Sequence, residues 1–358
     1  MPWYGLTVGY HWTAWLGFFA LWGLGGLSIT AGYHRLWSHN AYKAHVILRV
    51  PLALFGAATL QNSILVWASL HRRHHRYVDD NERDPYSAGR GLWFSHMGWM
   101  LRNYPSSKDD FSNAPDLKRD PVVMWQHKYY APLAIAMNIA PVLLLGWLTG
   151  DYLANLLLAG VLRLVVSHHC TFFINSLAHY WGNQPYTDTN SARDNGMLAL
   201  VTYGEGYHNY HHLFQNDYRN GVRWWQFDPT KWLIRLAAWL GLARDLQRIP
   251  DFRIREAMIA MQFKRAENRL DLIDNAEKLR AILEQEYQQF VESMQEWKSL
   301  KEQWYQRKRQ QLTEARADIT RKWEKIDMAA RLQELEFGLK LQQKRLRQFN
   351  LQLQAAAA

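Results

Sequence analysis

His71-Arg72-Arg73-His74-His75 packs three imidazoles into five residues, and the same H-x-x-H-H spacing returns at His208-Asn209-Tyr210-His211-His212. Residues three and four apart share one face of a helix, so each group can aim its three rings at one small volume. A further pair, His34 and His39, is five residues apart. That spacing does not bring both rings to one face of an ideal α-helix, so a helix is expected to end there. A single metal ion rarely accepts eight ligands, so convergence of these eight imidazoles implies two metal ions. Imidazole suits iron, zinc, copper and nickel alike and does not name the metal. The one cysteine, Cys170, excludes an intrachain disulfide and every multi-cysteine metal motif, which leaves His or carboxylate to hold any metal. Lone histidines more often serve structure, and His11, His45, His96, His127, His168 and His169 are read that way; His179 stays undecided on these grounds.

Outward from these clusters, hydropathy organises the chain. A bilayer core of about 30 Å needs about 20 mostly apolar residues per helix. Thr13 to Gly32 is uncharged, with Gly23, Gly25 and Gly26 permitting close packing. Leu133 to Thr149 and Tyr152 to about Ile174, separated by Gly150 and Asp151, read as a transmembrane hairpin. Arg163, His168 and His169 lie inside its second arm, where ionisable groups face a cavity or a function rather than lipid. Leu48 to Trp67 has the length of a span but carries Arg49, Pro51, Gln61 and Asn62. The histidine groups can meet only on one side of the membrane, so this stretch is expected not to cross. Three spans then bring His34, His71 and His208 together. Trp232 to Leu242 is amphipathic and is expected along the interface. The uncharged N-terminus lacks a convincing cleavage site, so the first apolar run is read as a retained span and not as a signal peptide.

Composition agrees with a chain split between lipid and water. Of 358 residues, 48% are hydrophobic and 18 are Trp, which suits lipid interfaces. Mean hydropathy is nonetheless −0.36, so a lipid part and a polar part are segregated. The net charge of +10 suits an anionic membrane surface or an acidic partner, and no nucleic-acid motif accompanies it. Beyond Pro250 there is no proline and one glycine, Gly338. Leu279, Leu283, Phe290, Met294, Trp297, Trp304, Ile319, Trp323 and Ile326 mostly fall three, four or seven apart, the pattern of a long helix, helical hairpin or coiled coil. Lys301 and Lys308 interrupt the seam. The domains expected are 1–250, membrane-embedded, and 251–358, a solvated helical tail.

The motifs HRLWSH, HRRHH and HNYHH resemble the three histidine boxes of the membrane fatty acid desaturases, specifically the acyl-CoA (stearoyl-CoA type, Δ9) branch, with a bacterial-like arrangement. ITAGYHRLWSHNAYKA, RDPYSAGRGLWFSHMGW, NSLAHYWGNQPY and GEGYHNYHHLFQNDYRNG extend the likeness over Leu24 to Pro250, and the tail lies outside it. The resemblance implies an all-α integral membrane protein whose transmembrane helices carry a cytosolic helical cap with a histidine-ligated di-iron centre (two Fe²⁺). It implies that His34, His39, His71, His74, His75, His208, His211 and His212 are iron ligands, with His179 a ninth and Asn175 reaching the same metal through water. Asn175 and His179 are four apart, consistent with one helical face at the end of the last span. Gln61, Trp67 and Thr171 match positions that bend the acyl tunnel, and Asn62 adjoins them.

The reaction implied is O₂-dependent removal of two hydrogens from adjacent methylenes, at Δ9, of an acyl chain on CoA. Unactivated methylenes offer no acidic proton, so acid–base chemistry alone cannot begin it. Carboxylates commonly orient the outer nitrogen of a ligating imidazole, and Asp80, Asp84, Asp194 and Glu205 lie near the boxes. No haem, flavin or iron–sulfur motif is present, so a separate donor (ferredoxin, rubredoxin or cytochrome b5-like, with its reductase) is expected, and the basic tail could help dock it. The location implied is a bacterial inner membrane with the site facing the cytosol. The sequence departs from the family in two places. Only one span precedes the first box where a hairpin is usual, so either the start is shortened or the first span is missing; with an odd number of spans the N-terminus would face away from the cytosol. Ser69-Leu70 replaces an Arg-Asp pair that grips CoA, which keeps a lipid-linked or carrier-protein-linked acyl chain open. A hydroxylase of the same histidine-rich class and a scaffold with structural zinc are the competing readings.

Overall fold

Among the described residues of the computed structural model, three helices are long and apolar enough to cross a membrane: Trp12–Ser38, Tyr130–Thr149 and Tyr152–His179. The structure describes residues 1–273, 276–313 and 320–356, the side chains of 308–313, 320–324 and 356 excepted. Ile135, Ile139, Leu143, Leu144, Trp147 and Leu148 are exposed along the second span, as lipid-facing side chains must be. The hairpin turns at Gly150, whose φ of 75° is left-handed and suits a residue without Cβ. Asp151 then caps the third span, its carboxylate accepting the Ala154 N–H at 2.8 Å.

The stretch from Leu48 to Trp67 does not cross. It forms a helix at Val46–Ala57, turns through Leu60 (φ 57°) and Asn62 (φ 72°), and starts again at Ile64–Arg76. Twelve residues at about 1.5 Å each reach about 18 Å, short of the hydrocarbon thickness. Ser63 begins the new helix by accepting the Val66 N–H. Gly56 allows the Tyr33 ring to lie against the first of these helices, because a Cβ there would come within 2.3 Å of it. Arg163, buried inside the third span, is a brace. It donates to Ala58 O (2.8 Å), Asn138 Oδ1 (2.8 Å) and Ala159 O (3.0 Å), tying the turn and two spans together.

The chain divides into two compact units, Met1–Gln184 with Asp188–Ile249, and Pro250–Ala358 with Pro185–Thr187. In the first, a two-residue antiparallel ribbon pairs Lys43–Ala44 with Ala243–Arg244. The helix Pro229–Trp239 exposes Trp232, Leu236 and Trp239 while burying Ile234 and Ala237, the amphipathic division expected of it. The second unit comprises helices Asp251–Leu270, Glu277–Thr313 and Thr320–Ala356. Its core gathers Ile259, Phe263 and Leu270 from the first helix, Leu283, Phe290 and Met294 from the second, and Leu339, Leu346 and Leu353 from the third. The heptad seam is thus filled within one chain. Leu279 packs at its edge, Trp297 is buried, and Ile326 is exposed; Ile319 and the side chain of Trp323 lie outside the described residues.

Candidate metal centre

His34 and His39 sit on one wide helical turn. Residues Ser28–Ser38 are wound as a π-helix, all eleven buried, with the His39 N–H donating to His34 O and the Ser38 hydroxyl to Tyr33 O, each five residues back. Such i→i+5 bonding brings side chains five apart to the same face. The expectation of a helix end is therefore half right: the helix stops at Ser38, and its last turns are wound differently. The rings of His34 and His39 lie 4.8 Å apart, centre to centre.

The helices Ile64–Arg76 and His208–Leu213 bring the other boxes to meet this turn. Nine imidazoles form two groups, His34, His39, His71, His75 and His211, and His74, His179, His208 and His212, each with its nitrogens within 4.8 Å of one another. Inside each group the rings face one another through Nε2. His34 to His211 is 2.9 Å, His211 to His75 is 3.0 Å, His39 to His71 is 2.9 Å, His208 to His179 is 3.1 Å and His212 to His208 is 3.0 Å.

Hydrogen bonding among themselves does not satisfy all of these nitrogens, because His211 Nε2 meets both His34 and His75, His208 Nε2 meets both His179 and His212, and a neutral ring nitrogen offers one proton or one lone pair. Glu205 Oε2 lies 2.9 Å from His34 Nδ1 and Asp84 Oδ1 lies 2.9 Å from His74 Nδ1, so in each of these two rings Nδ1 is the nitrogen that turns a proton towards a carboxylate. The Nε2 atoms of His34 and His74 are then the ones left to present lone pairs inward, where a cation would be bound. His74 Nε2 is buried with no hydrogen-bond partner among the described residues. Nitrogens about 2.1 Å from a metal and at right angles to one another stand about 3.0 Å apart, as they do here. Burial, then mutual repulsion, holds His39, His71, His75, His208, His211 and His212 well below the ordinary imidazole pKa, so these rings are neutral and ready to ligate. The donor set fits metal ions.

The outer partners divide the four expected carboxylates. Asp84 and Glu205 face clustered histidines, His74 and His34. Burial resists the Glu205 charge, but the adjoining His34 and the Arg35 guanidinium outweigh it and lower its pKa. Arg35 in turn bridges Glu205 (2.9 Å) and Asp228 (3.1 Å), and Asn220 donates to Glu205 at 2.6 Å. Asp194 accepts the Tyr210 N–H at 3.0 Å and holds the start of the His208–Leu213 helix in place; burial pushes its carboxyl up to about 7. Asp80 is engaged elsewhere, with the Glu82 and Arg83 N–H groups and the Arg83 guanidinium. The residues that hold His179 escaped the sequence reading: its Nδ1 meets Ser191 Oγ at 2.8 Å, and Ser191 donates to Asp79 at 2.5 Å. Asn175 and His179 do not share a helical face. The helix ends at Asn175, and His179 stands on a separate 3₁₀ turn, Leu177–His179.

Asn175 instead lines a cavity of about 580 Å³ with His34, His71 and Glu205. Arg102, Asn103 and Asp109 line it where it is exposed, and Ile29, Val66, Trp67 and Phe172 where it is apolar. Gln61 organises a corner. Its amide donates to Thr171 Oγ1 at 3.0 Å and its carbonyl accepts from Trp67 Nε1 at 3.3 Å. A smaller cavity shares Ile29, Thr30, Gln61 and Thr171 and is closed by Trp22, Cys170 and Tyr203. Tyr203 (φ 57°) donates to Trp22 O at 2.9 Å, and its ring fills the space beside Gly26, where a Cβ would come within 2.1 Å. Asn62 lines the larger cavity, and its N–H is taken by Tyr130. Ser69 turns away to Asp110 O and Asn113, while Leu70 lines the cavity wall.

Comparison with known proteins agrees with this geometry. Residues 10–242 match the fatty acid desaturase family. Over 240 residues the chain is 50% identical to a probable acyl-CoA desaturase of Schizosaccharomyces pombe, covering 67% of this chain and 50% of that protein. It is 47% identical over 243 residues to acyl-CoA desaturase 1 of Saccharomyces cerevisiae, covering 68% and 48%. An sn-2 palmitoyl-lipid 9-desaturase of Nostoc is 36% identical over 259 residues, 70% of this chain and 85% of that one. The chain thus spans about half the length of the two yeast relatives. All nine clustered histidines fall within the matched residues, so with its three membrane-length helices this chain belongs to the fatty acid desaturase family.

Proposed function

We propose that the chain introduces a cis double bond, at Δ9, into a saturated acyl chain carried on CoA. The observation that carries this reading is a largely apolar cavity of about 580 Å³ whose wall includes His34 and His71 of the first histidine group. The reaction is –CH₂–CH₂– + O₂ + 2e⁻ + 2H⁺ → –CH=CH– + 2H₂O. Two iron ions held by the nine histidines, with Asn175 acting through water, would supply the oxygen activation that unactivated methylenes require. The protein's own part is positional. The corner made by Gln61, Thr171 and Trp67 fixes which carbon pair rests beside His34 and His71, and the apolar wall excludes water from it. Glu205, Asp84 and Ser191 hold the outer nitrogens so that the rings cannot swing away.

Arg102 and Asn103, exposed at the cavity, are suited to a charged head group, and the relatives named acyl-CoA desaturases favour CoA over a lipid carrier. The site is read as facing the cytosol of a bacterial inner membrane, and the electrons as coming from a separate protein. The test is gas chromatography–mass spectrometry of the fatty acids of a bacterial host expressing the chain with a compatible donor, beside His211→Ala. A new monounsaturated acid absent from the control is expected. A new hydroxy acid would replace this reading with hydroxylation, and bound zinc without turnover would replace it with a structural role.

A further inference from the structure

Two of the nine clustered histidines, His39 and His75, also line a second concavity, separate from the acyl cavity. It is polar, about 530 Å³ and open to solvent, and Arg72, Arg76, Gln215 and Asn216 complete much of its wall. Among the described residues, no carboxylate lines it. Arg72 is neutralised by a two-pronged pair with Asp116 at 2.7 Å. Arg76 is exposed at the end of the Ile64–Arg76 helix, with its guanidinium over the Tyr77 ring at 5.5 Å and no ion pair among the described residues.

The floor of this bowl touches both histidine groups at once. His75 belongs to the first group, its Nε2 3.0 Å from that of His211. Its ring is also stacked on His212 of the second group, 4.3 Å between centres and 15° between planes. A half-buried ring that faces solvent on one side and adjoins both groups on the other is a short route for charge into either.

From this geometry we infer that the bowl over His39 and His75, with Arg76 at its rim, is where a small acidic one-electron redox protein docks and passes its electrons. This rests on the desaturase reading, which requires two electrons per turnover and finds no redox motif in the chain to store them. A one-electron donor docks twice, each time becoming oxidised by one electron, and the two protons come from solvent. The acidic face of the donor supplies the carboxylates that Arg76 lacks, and a rim charge of this kind governs encounter rate and salt dependence.

The test is biolayer interferometry of the metal-free, full-length protein in nanodiscs against an acidic [2Fe–2S] ferredoxin, at ionic strengths from about 0.01 to about 0.15 M. Wild type is expected to bind, more weakly as salt rises. Arg76→Glu is expected to bind about ten-fold more weakly, through slower association, and with a shallower salt dependence; Arg76→Lys is expected to bind as wild type does. Equal binding by Arg76→Glu, salt-independent binding, or no binding by wild type would overturn the assignment. With metal loaded, Arg76→Glu should raise the KM for ferredoxin while leaving single turnover driven by dithionite unchanged. Wild-type protein that yields no unsaturated product with dithionite would sink the desaturase reading, and the binding data would still judge the surface.

Discussion

The Asp84 carboxylate is fully buried and bonded to His74 Nδ1 at 2.9 Å, while also accepting the N–H groups of Asp79 and Tyr86 at 3.1 Å. One acid therefore fixes the His74 tautomer and closes the loop that carries Asp79 towards His179. Asp84→Ala should lower metal affinity about 10–100-fold, the usual cost of losing such a partner. Metal content after dialysis against a graded chelator reads this directly, and loss at the second histidine group should precede loss at the first.

Acid should unfold the metal-free protein over a narrow range. His39, His71, His75, His208, His211 and His212 are held below their ordinary value of 6.5, so the folded state resists protons that the unfolded chain accepts. The sign follows: stability is complete above about pH 6.5 and falls as pH drops through that value towards the folded pKa values. Thermal unfolding between about pH 7.5 and about pH 5.5 should show a Tm that is flat at the upper end and declines steeply below. A Tm unchanged across the range would show that the rings titrate normally.

Thr171→Val removes the acceptor for the Gln61 amide and leaves the corner of the cavity held only by Trp67. Double-bond position should then scatter over neighbouring carbons, with total turnover reduced less than about ten-fold, as positioning and not ligation is disturbed. The ratio of positional isomers, read by mass spectrometry of derivatised products, checks this.

The Tyr203 ring, 5.5 Å from that of Trp22, lines the smaller cavity. Tyr203→Ala should open it and move preference to longer chains. Each methylene newly accommodated is worth about ten-fold in discrimination. Competition between saturated acyl-CoAs of different length gives the ratio, and an unchanged preference would place the stop elsewhere.

The Pro250–Ala358 unit has its own apolar core of residues such as Leu270, Phe290 and Leu346. Expressed alone, it should be helical by circular dichroism and melt cooperatively. A gradual, non-cooperative loss of helicity would mean the core is insufficient without the rest of the chain.

Much of this was legible in the residues because local periodicity determines it. The H-x-x-H-H groups are three- and four-residue spacings, and the three spans follow from runs of apolar residues; the short reach of Leu48 to Trp67 followed from requiring His34 and His71 on one side. What escaped reading has physical reasons. His34 and His39 share a face only because the backbone abandons the α-helical period there. Ser191 finds Asp79 across 112 residues, a distance over which no spacing rule operates. Asp80 and Asp79 are equivalent in sequence, and only the turn after Tyr77, with Asp79 at φ 66°, decides which one faces Ser191 and His179. Arg163 looked functional because charge inside a span is costly, yet three carbonyl acceptors satisfy it as a brace.

The π-wound stretch Ser28–Ser38 has a pharmacological consequence. Its Ile29 and Thr30 line the cavity, its His34 belongs to the first histidine group, and its Arg35 anchors Glu205. An inhibitor lodged against Ile29 would press on the same backbone that presents His34. Inhibitor binding and metal binding would then be reciprocally linked, so compounds that stabilise this turn would help retain metal, and compounds that distort it would promote metal loss without touching the ion.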